Sequence, residues 1–105
     1  MSGVAPYLIR AYCDWIEDSN LTPHILVDCE KTGVVIPEGF AKEGKIVLNI
    51  GSSATESRLI TNNSISFKAR FSGKSQKIID PCEAVLTIKA QENGEGMFFA
   101  NKLET

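Results

Sequence analysis

One stretch decides the fold, Ile65-Ser66-Phe67-Lys68-Ala69-Arg70-Phe71. Apolar and polar side chains alternate along it, and a period of two puts all the apolar side chains on one face of a β-strand. Such a strand is half buried, with its polar face turned to solvent. Ser72-Gly73-Lys74 follows as a tight connection to the next run. The stretch therefore predicts a strand within an antiparallel sheet.

The chain beyond residue 23 has the same character, because short apolar runs alternate with turn residues. These runs predict strands over residues 24–30, 34–36, 45–50, 75–79, 84–90 and 97–99. Asp80-Pro81 and Asn93-Gly94 predict turns, and residues 51–55 predict a loop. Many short strands with frequent turns are typical of a small barrel or of two packed sheets.

The N-terminal segment predicts an arm over residues 1–6 and a helix over 7–19. Pro6 suits the first turn of a helix, where its missing N–H would be unpaired anyway. At 100° per residue the apolar side chains cover an arc of roughly 200°, about twice the width that a helix needs to dock on one core. We infer that the helix packs against its own domain and against something else. The fold class is therefore mainly β (α+β), with the helix first.

Composition bounds the function. The chain has 105 residues, which is one domain over 1–105, and its formal charge of −2 offers no general basic surface for nucleic acid. No apolar run reaches the ~20 residues that span a bilayer, and the start of the chain lacks the layout of a signal peptide. The three cysteines lack a Cys-x-x-Cys pair, which argues against a disulfide framework or a zinc site. These features predict a cytoplasmic protein that is not in a membrane.

The sequence contains no recognisable catalytic motif. His24 is the only histidine, and on a strand it lies too far from Asp28 for a hydrogen bond. Cys13 and Cys29 sit in apolar patterns that suit small buried side chains. Phosphate loops, nucleophile elbows and His-Glu-x-x-His are absent. We therefore expect no enzyme, no catalytic residue, no metal and no cofactor.

Ala69 has two interpretations. A small residue between Phe67 and Phe71 is often a matter of core packing alone. Alternatively, Ala69 is the floor of a shallow trough in which an extended peptide lies close to the sheet, with Lys74 and Lys77 supplying positive charge nearby. Composition does not decide between these two interpretations of Ala69.

Several stretches in the same order and spacing resemble one family, the stringent starvation protein B (SspB) adaptors of the ClpXP protease. The resemblance covers residues 4–99. It rests on Pro6–Tyr12 with Trp15, Leu21–His24 with Val27-Asp28, Ile46–Ile50, Ser66–Gly73 and Glu92–Phe98. Gly51-Ser52-Ser53 departs from the Ala-Pro-Arg type of loop associated with the family.

The resemblance implies an N-terminal helix on an Sm-like, SH3-like β-barrel of two sheets over residues 24–99. It also implies a homodimer and a groove for the ssrA degradation tag, with Ala69 as its small floor. The groove residues would be Asn49, Ile50, Gly51, Ser52, Ser53, Ala54, Phe67, Ala69, Arg70 and Phe71. The dimer contacts would be Tyr7, Leu8, Ile9, Ala11, Tyr12, Cys13, Trp15 and Ile16.

The resemblance also implies an acidic C-terminal tail that docks on ClpX. Residues 100–105 match only the start of such a tail. We expect this chain to bind tagged polypeptides without accelerating their degradation, because delivery depends on the tether. Acceleration of ClpXP at sub-saturating tagged substrate would contradict that expectation.

The alternative function is an Sm-like RNA-binding module, because such barrels often bind RNA. The acidic composition counts against it. RNA binding should fall steeply as salt rises, whereas binding of a short peptide in a groove should fall less.

Overall fold

The computed structural model describes residues 3–99 as one N-terminal helix followed by two antiparallel sheets, which confirms the predicted fold class. The elements are α1 (Ala5–Asp18), β1 (Pro23–Asp28), β2 (Lys45–Asn49), β3 (Glu56–Ile60), β4 (Ser64–Phe71), β5 (Lys74–Pro81), a 3₁₀ turn (Cys82–Ala84), β6 (Val85–Ala90) and β7 (Gly96–Phe98). Residues 1–2 of the predicted arm and residues 100–105 of the predicted tail lie outside the described residues.

The two sheets differ in size and share one core. The larger sheet has the strand order β2-β1-β6-β7, and the smaller has the order β3-β4-β5. Alternate residues of their strands are buried between them, including Ile25 on β1, Phe67 on β4 and Ile88 on β6. The alternation of β4 thus fills the core from one face, as its period of two predicts.

The helix begins at Ala5, earlier than predicted, so that Pro6 lies in its first turn. It ends at Asp18, and Asn20 follows with a φ of 63°, the left-handed geometry that closes many helices. The helix packs on β1 and β6. Within residues 3–99 no helix has the length and apolar character needed to cross a membrane.

Three local predictions differ from the structure. Residues 34–36 form no strand, and only Val35 makes a bridge, to Ile79 on β5. The predicted turn at Asp80-Pro81 is instead the end of β5. Strand β3 was not predicted at all. It carries a bulge, because the register with β4 shifts between Glu56 and Leu59, and the alternating pattern of an ordinary strand is therefore missing.

Candidate peptide-binding site

A cleft of about 250 Å³ lies where the loop before β3 faces β4. Its lining comes from the end of that loop, the start of β3, the second half of β4 and the start of β5. The lining residues are Ser53, Ala54, Thr55, Glu56, Lys68, Ala69, Arg70 and Ser75. One side of the cleft is therefore supplied by residues 53–56 and the other by β4 and β5. On β4, Ala69 lies between Lys68 and Arg70.

Strand β4 has an open edge beside this cleft. Its pairing with β5 continues to Phe71, which lies opposite Lys74. Its pairing with β3 reaches only as far as Lys68, which lies opposite Glu56. Among the described strands, none pairs with residues 69–71 on that second edge. An extended peptide can hydrogen-bond to such an edge and continue the sheet.

Ala69 lies on this unpaired edge and lines the cleft. It is partly buried against the core, unlike its exposed neighbours Lys68 and Arg70. A methyl side chain leaves the space above the strand unfilled, whereas a longer side chain would enter the cleft. Ala69 thus packs against the core and also lines the cleft, where the trough interpretation predicts that a peptide lies.

The loop opposite β4 is a hydrogen-bonded turn. Gly51 O accepts hydrogen bonds from Ala54 N and from Thr55 Oγ1, both at 3.0 Å. Gly51 N donates to Asn49 Oδ1 at 2.8 Å. Gly51 itself is buried, and a Cβ there would come within 3.1 Å of Asn49 Oδ1 and 3.5 Å of Pro23 Cδ. A side chain at this position would require the Asn49 side chain to shift by a few tenths of an ångström.

Nine of the ten predicted groove residues separate into three groups, and the tenth, Phe71, lines a different cleft. Four line the cleft, namely Ser53, Ala54, Ala69 and Arg70. Asn49, Gly51 and Ser52 do not line it, but they support the loop that does. The assignments of Ile50 and Phe67 are corrected, because both are core residues, 0% and 2% exposed. Alternation points Phe67 inward, and Ile50 continues the inward face of β2.

Phe71 lines a neighbouring apolar cleft of about 360 Å³. Its ring meets Phe40 edge to face, with the centroids 5.1 Å apart. The other lining residues are Leu26, Lys42, Lys45, Ile46 and Val47. Phe71 lies two residues after Ala69 on the same face of β4, so one strand contributes a lining residue to each cleft.

Sequence reasoning missed several cleft residues. Glu56 was missed because β3 was not recognised, and Thr55 because the predicted groove included the loop only as far as Ala54. Phe40 was missed because it lies in a turn-rich connection. Lys68 and Ser75 were placed on strands but not in the groove. The available signal for Lys68 was its place next to Ala69 on β4, whereas Ser75 lies on β5 opposite Arg70, a pairing that only the sheet register shows.

Positive charge collects on the outer face beside the cleft. Lys68 and Lys77 lie directly opposite each other on β4 and β5, and Arg70 is two residues from Lys68 on the same face. Like charges placed opposite each other in a sheet repel. Glu56, the partner of Lys68 on β3, offsets only part of this charge. The face therefore favours a ligand with acidic groups.

Comparison with known proteins identifies the family. The family model described as SspB, stringent starvation protein B, matches residues 3–105. A curated relative, the stringent starvation protein B homolog of Haemophilus influenzae, is 47% identical over 94 residues, which make up 90% of this chain. The chain belongs to the stringent starvation protein B family. The matched region spans 63% of that relative's length.

In this SspB-family chain, the wide apolar arc of α1 has a buried half and an exposed half. One half is buried in its own core, with Ile9, Cys13 and Ile16 exposed by 2% or less. The assignment of these three residues to a dimer interface is corrected, because their side chains are buried within the chain's own core. Periodicity measures the width of an apolar arc but does not say which part of it meets the sheets.

The other half of the arc is on the surface of this SspB-family helix. Tyr7 and Trp15 are 51% and 49% exposed. Ala11, Tyr12 and Trp15 line a shallow hollow of about 350 Å³, and the rings of Tyr12 and Trp15 meet edge to face at 5.7 Å. Leu8 is partly buried beside them. Five of the eight predicted contact residues therefore remain available to a partner.

Burial shifts the pKa values of Cys13 and His24. Burial raises the pKa of the Cys13 thiol to about 11, so the thiol stays protonated near neutral pH. Burial also lowers the pKa of His24, against an opposing effect of Glu92. Among residues 3–99, no three His, Cys, Asp or Glu side chains cluster as metal ligands.

Proposed function

We propose that this chain is a non-catalytic adaptor domain that binds the ssrA degradation tag as an extended peptide beside Ala69, and that delivery of tagged proteins to ClpXP in the cytoplasm depends on a C-terminal tail that tethers the adaptor to ClpX. The observation that carries the proposal is the open edge of β4 at residues 69–71, facing a cleft of about 250 Å³. A peptide there gains main-chain hydrogen bonds from the strand and side-chain contacts from the cleft. Membership of the SspB family supports the same function.

A peptide titration tests this proposal. A labelled synthetic ssrA peptide is titrated with the protein, and fluorescence anisotropy is measured. We expect saturable binding of one peptide per chain, and no comparable binding of a scrambled peptide of the same composition. Equal binding of both peptides, or none of either, would refute the proposal.

RNA binding is the second candidate, and the basic face of Lys68, Arg70 and Lys77 is the observation in its favour. The acidic balance of the whole chain opposes it. Salt separates the two candidates, because each phosphate contact releases a counterion. We expect any binding of single-stranded RNA to be weak and lost as salt rises, while peptide binding persists.

We further propose that two copies pair through the exposed half of the helix, with Ala11 at the centre. The support is an apolar surface of Tyr7, Ala11 and Trp15 on a helix whose opposite side is already packed. A small residue at that centre lets a second helix approach closely.

The variant Ala11→Asp tests this pairing. A charge in an apolar helix interface is costly to bury, so we expect the solution mass to fall from about twice 11.5 kDa to 11.5 kDa. Light scattering measures the mass. Asp18→Ala, at an exposed position of the same helix, is the control and should not change it. An unchanged mass for Ala11→Asp would place the dimer contact elsewhere.

A further inference from the structure

An ion pair joins the helix α1 to the bulged strand β3, whose first residue, Glu56, lines the cleft. Arg58 Nη2 lies 3.2 Å from Glu17 Oε1, and Arg58 Nη1 lies 3.3 Å from Glu17 Oε2. The two side chains thus meet through both nitrogens and both oxygens, the arrangement in which an arginine and a carboxylate hold each other's orientation. Each side chain is 22% exposed, so the pair is partly shielded from solvent.

Both partners also bond to the start of the loop that forms one side of the cleft. Ser52 N donates a hydrogen bond to Glu17 Oε2 at 2.6 Å. Arg58 Nη1 donates to Ile50 O at 2.7 Å. The ion pair therefore hydrogen-bonds to the backbone on both sides of Gly51. Glu17 accepts from Ser52, and Arg58 donates to Ile50.

The strand bulge explains how Arg58 reaches this position. Ser57 has a φ of 56°, and the register between β3 and β4 shifts between Glu56 and Leu59. A bulge reorients the side chains that follow it. Arg58 thereby lies against α1 and the loop, while Leu59 is 58% exposed.

Hydrogen bonds also connect Gly51 to residues that line the cleft. Gly51 O is the acceptor for both Ala54 N and Thr55 Oγ1, and Ala54 and Thr55 line the cleft. We propose that Glu17 and Arg58 are positioning residues for peptide binding, which set the loop of residues 51–55 at the distance from Ala69 that an extended peptide needs. This inference rests on the proposed function.

The ionisation of Glu17 is consistent with this role. Partial burial acts to raise the pKa of Glu17, but the hydrogen bonds from the Ser52 amide and from Arg58 outweigh it and hold that pKa below its ordinary value. The carboxylate is therefore charged near neutral pH, which strengthens the hydrogen bonds that it accepts from Ser52 N and from the two Arg58 nitrogens.

Single substitutions give the first test. For Glu17→Ala and for Arg58→Ala, we expect affinity for the labelled ssrA peptide to fall about fivefold, because each variant releases one side of Gly51. Asp18→Ala is the matched control, since Asp18 is an exposed carboxylate on the same helix. It should bind as the unmodified chain does. Unchanged affinity in both test variants would overturn the inference.

Exchanging the two charges separates positioning from simple stabilisation. In the double variant Glu17→Arg with Arg58→Glu, the ion pair can form again. The loop bonds cannot, because a guanidinium would face the Ser52 N–H and a carboxylate would face Ile50 O. We expect the melting temperature to recover toward the unmodified value while peptide affinity stays low. Recovery of affinity together with stability would overturn the positioning role.

Amide hydrogen exchange tests the inference without any peptide. In Glu17→Ala we expect faster exchange at Ser52 and Ala54 and unchanged exchange in the β1–β6 pairing. Unchanged exchange at Ser52 and Ala54 would overturn the inference even if the peptide binds. Failure of the unmodified chain to bind the peptide, with faster loop exchange in the variant, would refute the proposed function while leaving this loop contact established.

Discussion

Replacing Ala69 with glutamine is expected to weaken ssrA-peptide binding by at least about tenfold, which corresponds to about 1.4 kcal/mol of binding free energy. Ala69 lines the cleft at the open edge of β4, and the longer side chain would occupy the space that a peptide backbone needs. The fold should survive, because Ala69 is only partly buried and glutamine can extend into the cleft. Anisotropy titration measures the affinity, and thermal unfolding measures the stability.

Ala69→Gly is the matched control at the same position. Glycine leaves the cleft open, so peptide binding should be largely retained, although glycine within a strand lowers stability by about 0.5–1 kcal/mol. If glutamine and glycine change the affinity equally, steric occupation of the cleft is not the cause. Unchanged affinity for Ala69→Gln would place the peptide elsewhere on the protein.

The parts of the fold that the sequence predicted are those with a regular period. Residues 65–71 alternate strictly, and the structure places them in the central strand of the smaller sheet. Strand β3 has no such period, because its bulge and the left-handed geometry of Ser57 interrupt the alternation. Only the pairing with β4 explains why residues 56–60 form a strand.

The candidate site was predictable in part for the same physical reason. Ala69 was found because a small residue stands out in an alternating strand. The contribution of Glu17 and Arg58 was not predictable, because 41 residues separate them and the contact depends on how the bulge turns β3 toward the helix. Local patterns describe faces of single elements, whereas this contact arises from the packing of two elements.

Asp80 is an unusual residue for its position near the end of β5. It is 0% exposed, and neither carboxylate oxygen has a hydrogen-bond partner among the described residues. Ile78, two residues earlier, is also buried, so both side chains point into the core. Burial raises the pKa of Asp80 from an ordinary value of 3.8 to about 7. The Asp80-Pro81 pair is typical of a turn, in which the carboxylate would be exposed to solvent.

The raised pKa makes stability depend on pH. Between about pH 4 and pH 7 the unfolded chain ionises Asp80 while the folded protein keeps it protonated, so rising pH favours unfolding. The contribution of Asp80 is thus favourable below its unfolded pKa and is lost as pH rises through its folded pKa. We expect the free energy of unfolding to fall by up to about 1.4 kcal/mol per pH unit across this range from this group alone.

Asp80→Asn removes the ionisation while keeping the shape. We expect the variant to be more stable than the unmodified chain by about 2–4 kcal/mol near pH 8, and equally stable near pH 4. Urea unfolding at several pH values measures the difference. Asp18→Asn, the same change on the surface, should leave the pH dependence intact. Cys29, whose pKa is raised chiefly by burial and also by Asp80, ionises above this range and adds no slope. If Asp80→Asn keeps the full slope between pH 4 and 7, another group is responsible and Asp80 is ionised in the folded protein.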